Sequence, residues 1–168
     1  IARWPGRIPA GRLSKQLTNT TDIFATLASV VGYELPDDAA VDSFDILPAM
    51  LGTHDESNSI RSHLLTQSFR GELQIRQGDW KYLDHTGSGG NNYSKGILEK
   101  YALTETEPDA PGQLYNLATG PGETTNLFFK ETAKRLQMQA LLEELKRSGR
   151  SAPQDRMPIG IDNIPRLK

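Results

Sequence analysis

The spacing of hydrophobic positions changes along this chain and predicts two helices with several short strands between them. Over residues 23–31, apolar side chains recur every three or four positions, which predicts an amphipathic helix. We expect Asp22 to be its N-cap and Gly32 to end it in a left-handed conformation. The same period over residues 131–148 predicts a second helix, ended by Gly149. The apolar stripe expected on the second helix consists of Ala133, Leu136, Ala140, Leu141 and Leu145.

Short apolar and aromatic runs between the helices predict strands. Four such runs lie at residues 63–68, 73–75, 80–83 and 113–117. Gly78 lies in the short connection between the second and third runs, which indicates a hairpin. Ile1 and Ala2 are expected to end a further strand, because turn-forming triplets follow them directly. The pattern therefore predicts an α+β fold in which a small four-stranded antiparallel sheet is packed by the C-terminal helix.

A polar stretch without an apolar period, residues 53–59, is the expected boundary between two parts of the chain. It divides a turn-rich region, residues 1–53, from the strand-rich region, residues 54–149. Residues 150–168 contain three prolines and lose all periodicity, so we expect an irregular tail. The apolar residues expected to pin this tail are Ile159, Ile161 and Ile164.

Composition narrows the classes of function. The 168 residues carry a net charge of −2, which gives no electrostatic case for nucleic acid or an anionic membrane. The absence of cysteine excludes disulfides, thiolate metal sites and a cysteine nucleophile. No apolar run reaches the roughly 20 residues of a transmembrane helix. Because the chain begins at Ile1 without a methionine, we expect a fragment of a longer protein.

The sequence contains only incomplete versions of known catalytic, metal-binding and phosphate-binding patterns. The acidic residues within 35–52 do not have EF-hand spacing, so we expect a solvated acidic loop. The GSGGNN run, residues 87–92, lacks the ending of a phosphate-binding loop. None of the three histidines belongs to a ligand-spaced pair, and no serine lies in a nucleophile elbow. The acidic residues of the loop are Asp37, Asp38, Asp42 and Asp45, and the three histidines are His54, His63 and His85.

Three stretches of the chain resemble the sulfatase family. Residues 114–127, LYNLATGPGETTNL, resemble its Leu-Tyr-Asp-Leu-x-x-Asp-Pro-x-Glu-x-x-Asn-Leu signature, with Asn116 and Gly120 as departures. Residues 3–11, RWPGRIPAG, and 75–82, IRQGDWKY, resemble two further family stretches. From the residues alone, the 114–127 segment is a strand, a turn that ends the strand, and the approach to a helix. This pattern favours a structural role over a catalytic one.

The resemblance implies a formylglycine-dependent, arylsulfatase-like hydrolase of sulfate esters. Residues 1–53 would be the last strand and helix of its large alkaline-phosphatase-like α/β domain, and residues 54–149 its small C-terminal subdomain. The formylglycine and Ca²⁺ are expected in an N-terminal part of the parent protein, so we expect no catalytic residue, metal ligand or cofactor in this chain. The run Ser151 to Arg156 imitates the formylglycine motif but has Gln154 and Asp155 at two of its key positions. Alone, the chain is expected to be inactive.

The long polar stretch at residues 84–112 is the candidate substrate-binding element. As the rim of a pocket, it would bind a sulfated small molecule or carbohydrate; a disordered surface insertion is the alternative. The candidate ligand-binding residues are His85, Asn91, Asn92 and Lys95. A phosphoesterase or phosphonate hydrolase of the same superfamily and a non-catalytic binding module from a degenerate sulfatase remain alternative functions. The resemblance implies a periplasmic, secreted or lysosomal parent, and the sequence does not indicate its oligomeric state.

Overall fold

The computed structural model describes residues 1–90, 93–154, 158–164 and 166, and these residues form two compact units. The first unit comprises Ile1–Ser62 and Ser148–Lys168, and the second comprises His63–Arg147. The helices are α1 (Asp22–Val31), α2 (Leu47–Leu51) and α3 (Thr132–Ser148), with 3-10 helices at Gly96–Tyr101 and Ile161–Asn163. The strands are β1 (Leu64–Gln67), β2 (Leu73–Gln77), β3 (Trp80–Leu83) and β4 (Gln113–Asn116).

The second unit contains the predicted antiparallel sheet, with strands in the order β1-β2-β3-β4. Ile75 pairs with Tyr82, and Tyr82 pairs with Leu114, so three adjacent strands place buried side chains in one row. Gly78 has a φ of 57°, as a tight two-residue connection between β2 and β3 requires. Met138 joins the same core from α3. The α+β prediction and its four-stranded antiparallel sheet are therefore confirmed.

The face by which α3 packs differs from the predicted stripe. Met138 and Leu142 are fully buried, whereas Leu136 is 53% exposed. Ala133 and Ala140 are exposed too, so of the predicted stripe only Leu141 and Leu145 pack against the core. Two apolar stripes on neighbouring faces of α3 satisfy the helical period. The stripe that packs against the sheet is the one with Met138 and Leu142, whose side chains are larger than those of Ala133 and Ala140.

In the first unit, α1 buries the polar side of its sequence. Asp22, Thr26 and Ser29 are buried together with Ala25. The large apolar side chains of α1 remain more than half exposed; they are Ile23, Phe24, Leu27 and Val31. Gly32 closes the helix with a φ of 71°, as predicted. The unit therefore presents an apolar helix face to the solvent.

Three local predictions for the first unit are wrong. Ile1 and Ala2 belong to no strand. The N-cap of α1 is Thr21, and its side chain makes no capping hydrogen bond. Asp22 does not cap the helix, because its carboxylate binds Arg61 elsewhere in the unit. The segment expected to be only an acidic loop contains α2, which begins at Leu47 and has Pro48 in its first turn, a position that proline favours.

The tail, residues 150–168, is packed in part: among its described residues, Ser151, Ala152 and Ile164 are buried. Ile164 is 2% exposed and contacts Leu47 and Leu51 of α2, and Ile159 packs against the same cluster. Arg7 donates a hydrogen bond to the Ile164 carbonyl. Ile161 is 48% exposed and does not anchor the tail as expected, because it lies in the first position of the 3-10 helix. No helix among the described residues is long and apolar enough to span a bilayer.

Candidate functional site

The family signature at residues 114–127 folds around a buried amide. Asn126 is a buried residue with 2% of its surface exposed. Its Oδ1 accepts hydrogen bonds from the Leu114 and Phe128 backbone N–H groups, each at 3.0 Å. Its Nδ2 donates to the Gly112 carbonyl and to Glu105 Oε1, each at 3.2 Å. Asn126 therefore joins β4 to the entry of α3 and uses its polar atoms on the protein itself.

A second signature residue, Glu123, forms an ion pair with strand β3. Lys81 Nζ of β3 donates to both carboxylate oxygens of Glu123 at 2.8 Å. Glu123 has a φ of 53°, a left-handed conformation that is uncommon for a residue with a side chain. The ion pair holds the chain in this turn, so the signature makes structural contacts at both residues.

Buried polar groups extend from β4 to the candidate loop. The Tyr115 hydroxyl donates to Gln113 Oε1 at 2.6 Å. Gln113 Nε2 donates to the carbonyls of His85 and Gly87 at 3.1 Å and 2.8 Å. Burial raises the pKa of Tyr115 to about 12, with the charges of Glu105 and Glu123 adding to the shift. The first residues of the loop are therefore fixed to the sheet through neutral hydrogen bonds.

His85 is brought next to the β1–β2 hairpin. Its Nδ1 lies 3.7 Å from Glu72 Oε2 and 3.1 Å from the Thr86 carbonyl oxygen. Glu72 Oε2 also accepts a hydrogen bond from Ser68 Oγ at 3.2 Å. The His85 side chain is 11% exposed and that of Glu72 is 31% exposed, so both polar groups reach the surface.

The loop backbone lies directly against this hairpin. Gly89 is buried with a φ of 70°, and a Cβ at this position would lie 2.8 Å from the Ser68 Cβ. A Cβ at Gly90 would lie 3.6 Å from the Phe69 Cβ. We call Ser68, Glu72, His85 and Gly89 the hairpin–loop cluster.

The geometry of the hairpin–loop cluster suits hydrogen bonding to a ligand and does not form a nucleophilic triad. In a Ser-His-acid triad the imidazole lies between the hydroxyl and the carboxylate. Here Glu72 lies between Ser68 and His85, so the imidazole is not placed to accept the serine proton. Across the residues that the structure describes, no group of three or more His, Asp or Glu side chains could hold a metal ion. The Ca²⁺ expected for the parent protein therefore has no fitting ligand set in this described part.

Of the other predicted ligand-binding residues, the structure describes Lys95. Lys95 is exposed and extended, directly before the 3-10 helix Gly96–Tyr101. Within the described part of the chain, no hydrogen bond or ion pair joins Lys95 to His85. Asn91 and Asn92 lie outside the described residues. Sequence reasoning also missed Glu72 and Gln113, because only the sheet register brings them beside the loop.

A buried ion pair in the first unit was not predicted either. Arg61 Nη1 lies 2.9 Å and 2.8 Å from the two carboxylate oxygens of Asp22, and both side chains are at most 1% exposed. Asp22 also accepts the backbone N–H groups of Asn19 and Phe44, and the Arg61 guanidinium lies 4.3 Å from the centroid of the Phe44 ring. Burial lowers the pKa of Arg61, and the Asp22 charge opposes this shift. The pair uses its polar atoms within the unit, which favours a structural role.

Asp45 differs from the solvated residue that was predicted. It lines a cavity of about 210 Å³ with Ala25, Phe44 and Tyr33 among its neighbours. Burial raises the pKa of Asp45, while hydrogen bonds from the Ser29 side chain and the Leu47 backbone oppose the shift. Asp45 lies two residues before the start of α2, and its Oδ1 accepts the Leu47 backbone N–H at 2.8 Å. Asp37, Asp38 and Asp42 are exposed, as expected.

The serine of the imitated formylglycine motif has a structural partner. Ser151 is 8% exposed, and its Oγ donates to Asp42 Oδ1 at 2.8 Å. Its backbone N–H donates to the same oxygen at 2.9 Å. Asp155 and Arg156 lie outside the described residues.

The chain is similar to characterised sulfatases. It is 30% identical over 146 residues to an N-acetylgalactosamine-6-O-sulfatase of Bacteroides thetaiotaomicron, covering 87% of this chain and 26% of the relative. It is 32% identical over 134 residues to human arylsulfatase A, covering 76% of this chain and 25% of the relative. No protein-family model matches the chain.

A solved structure agrees with these relatives. The structure comes from work on the metabolism of multiple glycosaminoglycans by Bacteroides thetaiotaomicron, and it superposes with a TM-score of 0.57 at 30% identity. The match covers 75% of this chain and 24% of that one. This chain spans about a quarter of the length of the curated relatives it matches. In motifs, sequence and fold, the chain is homologous to sulfatases and corresponds to a partial sulfatase region.

Proposed function

We propose that this chain is the C-terminal part of a sulfatase that hydrolyses sulfate esters of carbohydrates. The observation that carries the proposal is the similarity to an N-acetylgalactosamine-6-O-sulfatase across 87% of the chain. In this proposal residues 1–53 belong to the large α/β domain and residues 54–149 form the small subdomain. The nucleophile and the metal ligands are supplied by the rest of the parent protein.

The exposed apolar face of α1 supports a place within a larger fold. Ile23, Phe24, Leu27 and Val31 are each at least 54% exposed on one helix. Burying a side chain of this size is worth about 1.5–3 kcal/mol, so a helix face of this kind is stabilised when another part of a protein covers it. The large α/β domain is the proposed cover.

The role proposed for this chain is substrate recognition. The signature residues Asn126 and Glu123 make structural contacts, while His85 and Glu72 reach the surface beside the loop of residues 84–112. His85, Asn91, Asn92 and Lys95 are proposed to contact the substrate from this loop. The sheet and α3 would then act as the rigid support for these contacts.

The test compares the longer protein containing these residues with the 168-residue chain. Both are assayed for release of sulfate from N-acetylgalactosamine 6-sulfate and from an aryl sulfate, and for release of phosphate from the matching phosphate ester. We expect the longer protein to release sulfate and the isolated chain to release neither ion. A preference of the longer protein for the phosphate ester would favour the phosphoesterase alternative. Ligand binding without turnover would favour the binding module.

A further inference from the structure

The tip of the β1–β2 hairpin exposes an aromatic residue and an arginine at successive positions. Phe69 is 99% exposed, and Arg70 is exposed beside it. They occupy the two central positions of a turn in which the Gly71 N–H donates to the Ser68 carbonyl at 3.0 Å. Both side chains therefore project from the end of the hairpin.

This turn is firmly braced, although its two central side chains are exposed. Ser68 Oγ accepts the backbone N–H groups of Arg70 and Glu72, each at 3.2 Å. The Ser68 N–H donates to the Glu72 carbonyl at 2.8 Å, and Gln67 Nε2 donates to the Gly71 carbonyl at 3.1 Å. Because the backbone is held by its own hydrogen bonds, a ligand that contacts Phe69 and Arg70 needs little further ordering of the turn.

The charge of Arg70 is available to a ligand. Across the described residues, no carboxylate forms an ion pair with Arg70, whereas Arg61 and Arg12 each have an acidic partner. A guanidinium presents several N–H donors in a plane and suits the oxygens of a sulfate or carboxylate. The neighbouring ring of Phe69 offers an apolar surface that suits the C–H face of a sugar.

The hairpin tip is continuous with the hairpin–loop cluster. A Cβ at Gly90 would touch the Phe69 Cβ, and Gly89 lies against Ser68. Glu72 and His85 therefore lie on the same side of the second unit as the tip, with polar atoms suited to sugar hydroxyl groups. An aromatic ring, an anion-binding cation and hydroxyl-binding groups on one surface are the contacts that a sulfated pyranose requires.

We propose that Phe69 and Arg70 form a binding subsite for a sulfated sugar, with the ring against the sugar and the guanidinium on its sulfate. This subsite rests on the proposed function and adds to it two residues outside the loop of residues 84–112. Glu72 and His85 border the subsite and hold hydroxyl groups of the same sugar.

The first experiment titrates the 168-residue chain with N-acetylgalactosamine 6-sulfate and, separately, with unsulfated N-acetylgalactosamine. Binding is measured by calorimetry, and its location by NMR shifts of the backbone amides. We expect shifts at residues 68–72 and 85–90 and a preference for the sulfated sugar. Absence of binding at the highest soluble ligand concentration, or shifts confined to other regions, would overturn the subsite.

Two variants separate the contributions of the ring and the charge. Phe69→Ala should weaken binding of both sugars about fivefold, as expected for the loss of an aromatic contact. Arg70→Gln should weaken binding of the sulfated sugar about tenfold and remove the preference for sulfate. Phe129→Ala and Arg147→Gln are the matched controls, since both residues are exposed elsewhere in the same unit, and should bind like the unaltered chain. Unchanged affinity in Phe69→Ala and Arg70→Gln would reject the subsite.

Kinetics of the longer protein distinguish failure of the subsite from failure of the proposed function. With N-acetylgalactosamine 6-sulfate as substrate, Phe69→Ala and Arg70→Gln should raise KM by the same factors and leave kcat nearly unchanged. Sulfate release with an unchanged KM in both variants would reject the subsite and leave the proposed function standing. Absence of sulfate release by the unaltered longer protein would reject the proposed function itself.

Discussion

At the scale of single residues, Asn126 shows how a family signature is explained by hydrogen bonding. A buried backbone N–H without a partner costs about 1–3 kcal/mol, and Asn126 Oδ1 satisfies two of them. No side chain other than a short amide combines these acceptor contacts with the two donor contacts made by its Nδ2. The signature asparagine is therefore required by the backbone around it.

The first prediction concerns this amide. Asn126→Ala should lower the free energy of unfolding by about 3 kcal/mol, because it leaves buried N–H groups of Leu114 and Phe128 without an acceptor. Urea unfolding followed by circular dichroism measures the change. Asn116→Ala is the matched control, since Asn116 Oδ1 accepts only the exposed Ala118 N–H, and it should cost well under half as much. Equal losses in the two variants would contradict the structural role of Asn126.

A second prediction concerns the ion pair of the first unit. Arg61→Met should lower the free energy of unfolding by about 3–5 kcal/mol, because it leaves the Asp22 carboxylate buried without a counter-charge. Arg12→Met is the control: its pair with Glu56 lies at the surface, where solvent screens the charges, and should contribute much less to stability. Chemical denaturation of both variants gives the comparison. The buried pair would have to be reconsidered if Arg61→Met were as stable as Arg12→Met.

A third prediction concerns the ionisation of Tyr115. Its pKa of about 12 in the folded chain exceeds the ordinary value of 10.0, so the folded state favours the neutral phenol. The resulting stabilisation is complete below pH 10 and is lost as the pH rises towards about 12. Ultraviolet titration of the phenolate should show this late ionisation, and Tyr115→Phe should remove it from the titration curve. Ionisation of Tyr115 at its ordinary pKa would contradict the burial of its hydroxyl.

At the scale of elements, helix α3 is ambiguous in sequence and unambiguous in the fold. Its apolar residues form two overlapping stripes with the same period, and periodicity alone cannot choose between them. The sheet makes the choice, since Ile75, Tyr82 and Leu114 form the surface against which Met138 and Leu142 pack. The predicted boundaries of α3 agree with the structure within a residue, while its predicted stripe does not.

The fourth prediction distinguishes the two faces of α3. Leu142→Ala should lower the free energy of unfolding by about 3 kcal/mol, because it opens a cavity in a fully buried site. Leu136→Ala makes the same chemical change at a position that is 53% exposed and should cost less than about 1 kcal/mol. Thermal unfolding of the two variants measures the difference. A larger loss for Leu136→Ala would restore the stripe that the sequence suggested.

At the scale of the whole molecule, the exposed face of α1 is the feature that a larger protein would complete. Its apolar side chains lie on a helix whose buried face is formed by Asp22, Thr26 and Ser29. These polar groups make hydrogen bonds inside the unit, where the Thr26 hydroxyl accepts a backbone N–H group. The Ser43 hydroxyl in turn accepts a backbone N–H group of α1. The polar face of α1 therefore packs within the unit, and its apolar face would be buried if a further domain covered it.

The fifth prediction follows from this face. The 168-residue chain should self-associate as its concentration rises, and the combined change of Phe24, Leu27 and Val31 to Gln should reduce this association. Analytical ultracentrifugation measures it. Leu136→Gln, a change at an exposed apolar position of the second unit, should leave the association unchanged. Equal association of the triple variant and the unaltered chain would place the adhesive surface elsewhere.

The sequence by itself determined what depends on neighbours along the chain. Helical spacing located α1 and α3, and Gly78 marked the hairpin, because periodicity and turn geometry act over a few residues. The motifs of residues 3–11, 75–82 and 114–127 indicated the family before any contact was known. Short-range physics was sufficient for the helices and the hairpin, whereas the family was indicated by resemblance of the motifs.

Only the tertiary structure decided which distant residues share a site. Arg61 pairs with Asp22 across 39 positions, and Gln113 bonds the His85 carbonyl across 28. Glu72 joins His85 because the antiparallel pairing of β2 with β3 brings the residues before β2 beside those after β3. Such contacts follow from packing and strand pairing, which no local pattern encodes, so the buried ion pair, the inner face of α3 and the hairpin–loop cluster emerged only from the fold.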